Sequence, residues 1–163
     1  MIFLAESIIL CLLFTLCCIP PLLKNPLQWI SDYPRPIQDR ARELGLVDPD
    51  KKLLTRGELI RKLVGSLAMA ILLSLVLVYV NGVEGFAGGF LWCYGFCTVI
   101  AWYDALVIDC LWFCHSKKVI LPGTEDLVSS YHDYWFHIRT SLLGMVLGIP
   151  ISLLVGLCVL ALT

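Results

Sequence analysis

Two carboxylates, Asp104 and Asp109, lie inside an otherwise apolar segment, and all three histidines of the chain, His115, His132 and His137, follow in residues 115–137. A carboxylate at the centre of a membrane helix costs roughly 2.5–3.5 kcal/mol on insertion scales, so such acids are retained where they line a ligand, ion or proton path. At the 3.6-residue turn of an α-helix, Asp104 and His115 fall on nearly the same face, about three turns apart. The same winding points Asp104 and Asp109 about 140° apart, which argues against a paired acid/base dyad on one face. Asp104 should lie about 12 Å inside the apolar layer, protonated or hydrogen-bonded in a polar cavity. Asp109 is about one turn from the cytoplasmic boundary and should pair with a rim cation, Arg61, Lys62 or Arg139.

His132 and His137 are five residues apart, so one α-helix sends their rings to different faces, unlike the i, i+4 pair of a helical zinc motif. Chelation would require His115, Asp109, Asp126, Asp133 or Cys114 to converge from elsewhere; spacing alone assigns no metal ligands and names no cofactor. Glu125, Asp126, His132 and His137 stand as interfacial contributors to the same end of the protein. Of the eight cysteines, Cys93 and Cys97, and Cys110 and Cys114, are spaced i, i+4. Cysteine in a membrane helix is ordinarily a small apolar packer; a disulfide would need Cys158 beside Cys93.

The elements that must position these groups follow from hydropathy. The 163 residues are 59% hydrophobic and 15% charged, with a mean hydropathy of +0.85. Four apolar runs, residues 2–23, 63–80, 88–113 and 140–162, approach or exceed the ~20 residues that cross a bilayer as a helix. Helices are the natural spanning structure because backbone groups in lipid must bond within their own segment. The expected fold is therefore an all-α integral membrane protein. A four-helix bundle would form one polytopic domain over residues 1–163.

Nine of the twelve Lys and Arg residues lie in the loop 24–62 and the other three in the loop 114–139. The positive-inside rule makes both loops cytoplasmic and both termini external, with the first run an uncleaved anchor. Acids interleave with the basic residues and the net charge is −1, which excludes a nucleic-acid groove.

Local signals refine the elements. Pro20 and Pro21 should end the first helix. Pro34 and Pro36 should precede a short interfacial helix with Ile37, Ala41 and Leu44 on one side, closed by Gly45. Thr55 and Glu58 have capping-box spacing at the start of the second span, and Asn81, Gly82 and Gly85 mark a tight hairpin before the third. Thr124 should cap a second interfacial helix whose apolar stripe is Leu127, Tyr131, Trp135 and Ile138. In the fourth run Gly144, Gly148, Ser152 and Gly156 form a small-residue seam suited to close packing against the third run, or against a second copy or membrane partner. Pro150 should bend that helix near Leu147.

These features point to a multi-pass protein of the plasma membrane, with the lipid bilayer as its surroundings. It would bind or help transport a small ligand or ion through a cytoplasm-facing cavity between the third and fourth helices, at Asp104, Asp109 and His115. Two other classes are consistent with the same residues: a membrane enzyme or metal- or haem-binding redox protein working at the cytoplasmic interface, and a structural subunit of a larger membrane complex.

Overall fold

The computed structural model describes residues 1–47 and 56–163, with the backbone alone at Arg56, Glu58 and Lys62. The expected Thr55/Glu58 capping box lies outside the described residues. Among the described residues all regular structure is helical: α1 (Ile2–Lys24), α2 (Arg35–Glu43), α3 (Arg56–Tyr79), α4 (Gly85–Tyr103), α5 (Val128–Tyr131) and α6 (Tyr134–Leu162). A π-helical segment (Asp104–Phe113) continues from α4, and short 3-10 turns occupy Pro26–Asp32, Lys117–Val119 and Glu125–Leu127. Among the described residues, four helical stretches are long and apolar enough to cross a membrane: Ile2–Lys24, Leu59–Tyr79, Gly85–Phe113 and Tyr134–Leu162. This is the pattern of a multi-pass membrane protein.

Two boundaries differ from the expectation. α1 runs through Pro20 and Pro21 to Lys24; prolines are tolerated in membrane helices, where neighbouring groups re-satisfy the freed carbonyls. At the other end, α6 begins at Tyr134, so the polar residues through Thr140 belong to the helix itself.

The chain divides into two compact units. One comprises Met1–Ile8, Lys52–Ala101 and Leu143–Thr163; the other comprises Ile9–Lys51 and Trp102–Leu142. In the first unit the α6 seam meets α4. A Cβ on Gly148 would lie 3.0 Å from Cys97 Cβ, and one on Gly156 would lie 2.9 Å from the Phe86 carbonyl oxygen. Ser152 is fully buried and donates to the Gly148 carbonyl at 2.8 Å. Gly144, by contrast, faces open space. Opposite the seam, Gly89 brings its backbone against Val159, and a Cβ there would meet that side chain at 2.8 Å. Phe3 stacks on Phe96 with ring centroids 4.9 Å apart, and Glu6 accepts a hydrogen bond from Asn81 at 2.9 Å. Gly82 and Gly85, both at positive φ, form the hairpin turn that the sequence predicts.

The second unit is built on an aromatic core of Leu22, Tyr33, Ile37, Ala41, Phe113, Val119, Leu121 and Tyr131. α2 forms where expected, with Gly45 at φ +67° closing it. Its apolar residues Ile37 and Ala41 are fully buried in this core, so that face of α2 is committed to protein rather than to lipid; Leu44 is exposed.

Hydrogen bonds then fix the loop. Tyr33 Oη donates to the Val119 carbonyl at 3.0 Å, and burial pushes the Tyr33 hydroxyl well above its ordinary pKa. Tyr131 Oη accepts from Leu121 N–H at 2.9 Å and shares a 2.7 Å hydrogen bond with Thr124 Oγ1. Thr124 therefore does not act as the predicted helix cap; its hydroxyl donates to the Leu121 carbonyl. The continuous stripe from Leu127 to Ile138 is also overturned. The helix breaks at His132 and Asp133, Tyr131 is buried to 2% exposure, and Trp135 is 68% exposed. The break is stabilised by Asp133, whose carboxylate accepts from the Phe136 N–H at 3.0 Å and so caps α6.

Candidate functional site

The π-helical winding of Asp104–Phe113 changes the geometry that spacing alone implies. Hydrogen bonds there run from residue i+5 to residue i, as in the 2.9 Å bond from Cys114 N–H to the Asp109 carbonyl. The wider winding brings residues five apart nearer to one face than an α-helix would, so the 140° divergence expected for Asp104 and Asp109 at 3.6 residues per turn does not apply to this segment. Asp109, Asp32 and His137 all lie within electrostatic range of Asp104. Asp32, at the end of its 3-10 turn, enters the site without any signal in the sequence beyond its charge.

The partner of Asp109 is also corrected. Asp109 Oδ2 lies 3.1 Å from His137 Nδ1, and the imidazole is 2% exposed. Neither Arg61 nor Arg139 pairs with Asp109 among the described residues, and the Lys62 side chain lies outside them. His137 reaches this position because α6 extends three residues N-terminal to it. Its ring packs edge-on against Phe113 at 5.3 Å and Phe136 at 5.2 Å. These contacts bury the ring, and Nε2 has no hydrogen-bond partner among the described residues.

His115 does not join Asp104 and Asp109. The helix ends at Phe113, so His115 lies beyond it, exposed, with Nε2 3.2 Å from Tyr134 Oη. Its ring centroid is 5.1 Å from that of His132. His132 and His137 belong to two different clusters, separated by the break between α5 and α6 rather than by their phase on one helix. Asp126 is engaged elsewhere, accepting from Arg40 Nη1 at 3.3 Å and Nη2 at 3.2 Å. Glu125 Oε2 accepts from Gly123 N–H at 2.9 Å.

Among the described residues no three His, Cys, Asp or Glu side chains converge as a set able to hold a metal ion. All eight cysteines, including Cys93 and Cys158, are free thiols. The arrangement that remains is a buried imidazole with one nitrogen near the Asp109 carboxylate and the other unpaired among the described residues, within electrostatic range of a second acid, Asp104. Such a group can bind a cation, donate to or accept from a polar solute, and carry a proton. No protein-family model matches the chain, and neither curated proteins nor solved structures give a match.

Proposed function

We propose that this protein is a multi-pass, plasma-membrane helical bundle that binds a small ligand or ion, and helps carry it, at a site made by Asp104, Asp109 and His137. Loops 24–62 and 114–139 face the cytoplasm and both termini face outward, as the placement of Lys and Arg argues. The observation that carries the reading is His137, buried, with Nδ1 3.1 Å from Asp109 Oδ2 and Nε2 unpartnered among the described residues. Buried polar atoms are nearly always satisfied, so an orphaned nitrogen on an imidazole that contacts one acid and lies within electrostatic range of another calls for an exchangeable partner. The π-helix supports the same reading, since such windings recur at functional sites.

The test is a ligand panel read by thermal unfolding of the purified protein: alkali and divalent cations, amino acids, organic acids and amines. A stabilising ligand should lose its effect in Asp104→Asn and in His137→Asn. Stabilisation that persists in both variants, or no stabilisation by any panel member, would overturn the proposal.

A further inference from the structure

A cavity lies apart from Asp109 and His137 in the same unit. It is a cleft of about 470 Å³ whose walls include Cys114, His115, Lys117, Tyr131 and His132. Its volume falls in the ~300–1,000 Å³ range of small-molecule sites.

The floor and the rim differ in chemistry. Cys114 and Tyr131 are buried to 4% and 2% exposure. Burial pushes the Cys114 thiol up to about 12, with Cys110, Asp109 and Asp133 adding to the rise, so it is a neutral, apolar surface at physiological pH. The Tyr131 hydroxyl is already engaged by Leu121 and Thr124. With Ile120 and Val128, which also line the cleft, this floor favours hydrocarbon or an aromatic ring. The rim carries exposed Lys117, which forms no ion pair among the described residues, and the neighbouring imidazoles of His115 and His132. Glu125 is the one acid of the lining, and its carboxylate accepts from the Gly123 N–H. Among acids outside the lining, Asp126 is paired with Arg40 and Asp133 caps α6.

We infer that this cleft binds an anionic amphiphile, its phosphate or carboxylate head held by Lys117, His115 and His132 and its apolar part laid on Tyr131, Ile120 and Val128. The cleft lies between the end of the membrane stretch Gly85–Phe113 and the start of Tyr134–Leu162. That places it where a membrane lipid or a freely diffusing amphiphile can enter. The chemistry is the same for both sources, and the inference is independent of the Asp109–His137 site.

The full chain in phosphatidylcholine nanodiscs, titrated with dodecyl phosphate and followed by native mass spectrometry, tests it. Dodecyl phosphate should bind saturably, whereas inorganic phosphate and dodecyltrimethylammonium should not. Lys117→Gln and the His115→Gln/His132→Gln double variant should each weaken binding at least fivefold, while Lys118→Gln, outside the lining, should leave it unchanged. Nanodiscs doped with phosphatidic acid identify the source: competition with dodecyl phosphate assigns the cleft to a membrane lipid, and its absence assigns it to a free amphiphile. Equal binding of the cationic detergent, or binding unaffected by Lys117→Gln, would overturn the inference.

Discussion

Replacing Asp109 with alanine should destabilise the protein more than replacing its partner His137 with phenylalanine. In the wild type, Asp109 Oδ2 lies 3.1 Å from His137 Nδ1, with side-chain exposures of 22% and 2%. Asp109→Ala leaves a buried imidazole with neither nitrogen satisfied. Leaving a buried polar group unpartnered costs about 1–3 kcal/mol, and the loss should fall in the upper part of that range because the stranded ring cannot reach water. It should stay below the roughly 3–5 kcal/mol that breaking a wholly buried ion pair costs, since the carboxylate edge is partly open. His137→Phe instead places a ring of similar shape between Phe113 and Phe136. It leaves only a carboxylate that can hydrate in part, at a cost of about 0.5–1.5 kcal/mol. The double variant retains no buried polar orphan, so it should be more stable than the sum of the singles by at least ~1 kcal/mol. Unfolding in mixed micelles at increasing SDS fraction, followed by tryptophan fluorescence, measures all four corners of the cycle. Additive effects, with Asp109→Ala within about 0.5 kcal/mol of wild type, would refute the pairing as the element that holds His137.

Two further contrasts test how the site is supported. Tyr131→Phe strands the buried Leu121 N–H and should cost about 1–3 kcal/mol, whereas Tyr33→Phe removes one donor from the Val119 carbonyl and should cost about 0.5–1.5 kcal/mol; the same SDS titration ranks them, and a reversed order would count against the Tyr131 network. Gly156→Val forces a side chain against the Phe86 backbone and should cost about 1–3 kcal/mol. Gly144→Ala, which meets nothing within 4 Å, should be neutral or gain up to about 1 kcal/mol from helix propensity.

The long apolar helices are legible in the sequence because runs of that length, in a chain this hydrophobic, exceed what a soluble core of 163 residues could cover. α2 is legible too, since Ile37 and Ala41 share a face and Gly45 supplies the left-handed stop. The seam of Gly148, Ser152 and Gly156 announces close packing, although its meeting with Cys97 and Phe86 depends on tertiary contacts. The start of α6 is hidden because Tyr134, His137 and Arg139 read as interfacial decoration by composition. In the structure Asp133 caps the helix and His137 turns inward.

The acid geometry is illegible for a different reason. Nothing in residues 104–113 announces a π-helix, and a reading at 3.6 residues per turn necessarily separates Asp104 from Asp109. The same assumption draws His115 toward Asp104, although the helix ends before it. Asp32 has no signature at all, because its approach depends on how the 3-10 turn after α1 folds into the second unit.

On the proposed function, His137 Nε2 receives an exchangeable ligand near Asp104 and Asp109. This is tested most directly by ¹⁵N NMR of the imidazole in lipid, with the resonances assigned through His137→Asn. Addition of the ligand found in the stability panel should move the Nε2 resonance of His137 saturably, and the response should disappear in Asp104→Asn. A His137 spectrum unchanged at saturating ligand, while the ligand still stabilises the wild type, would contradict the account.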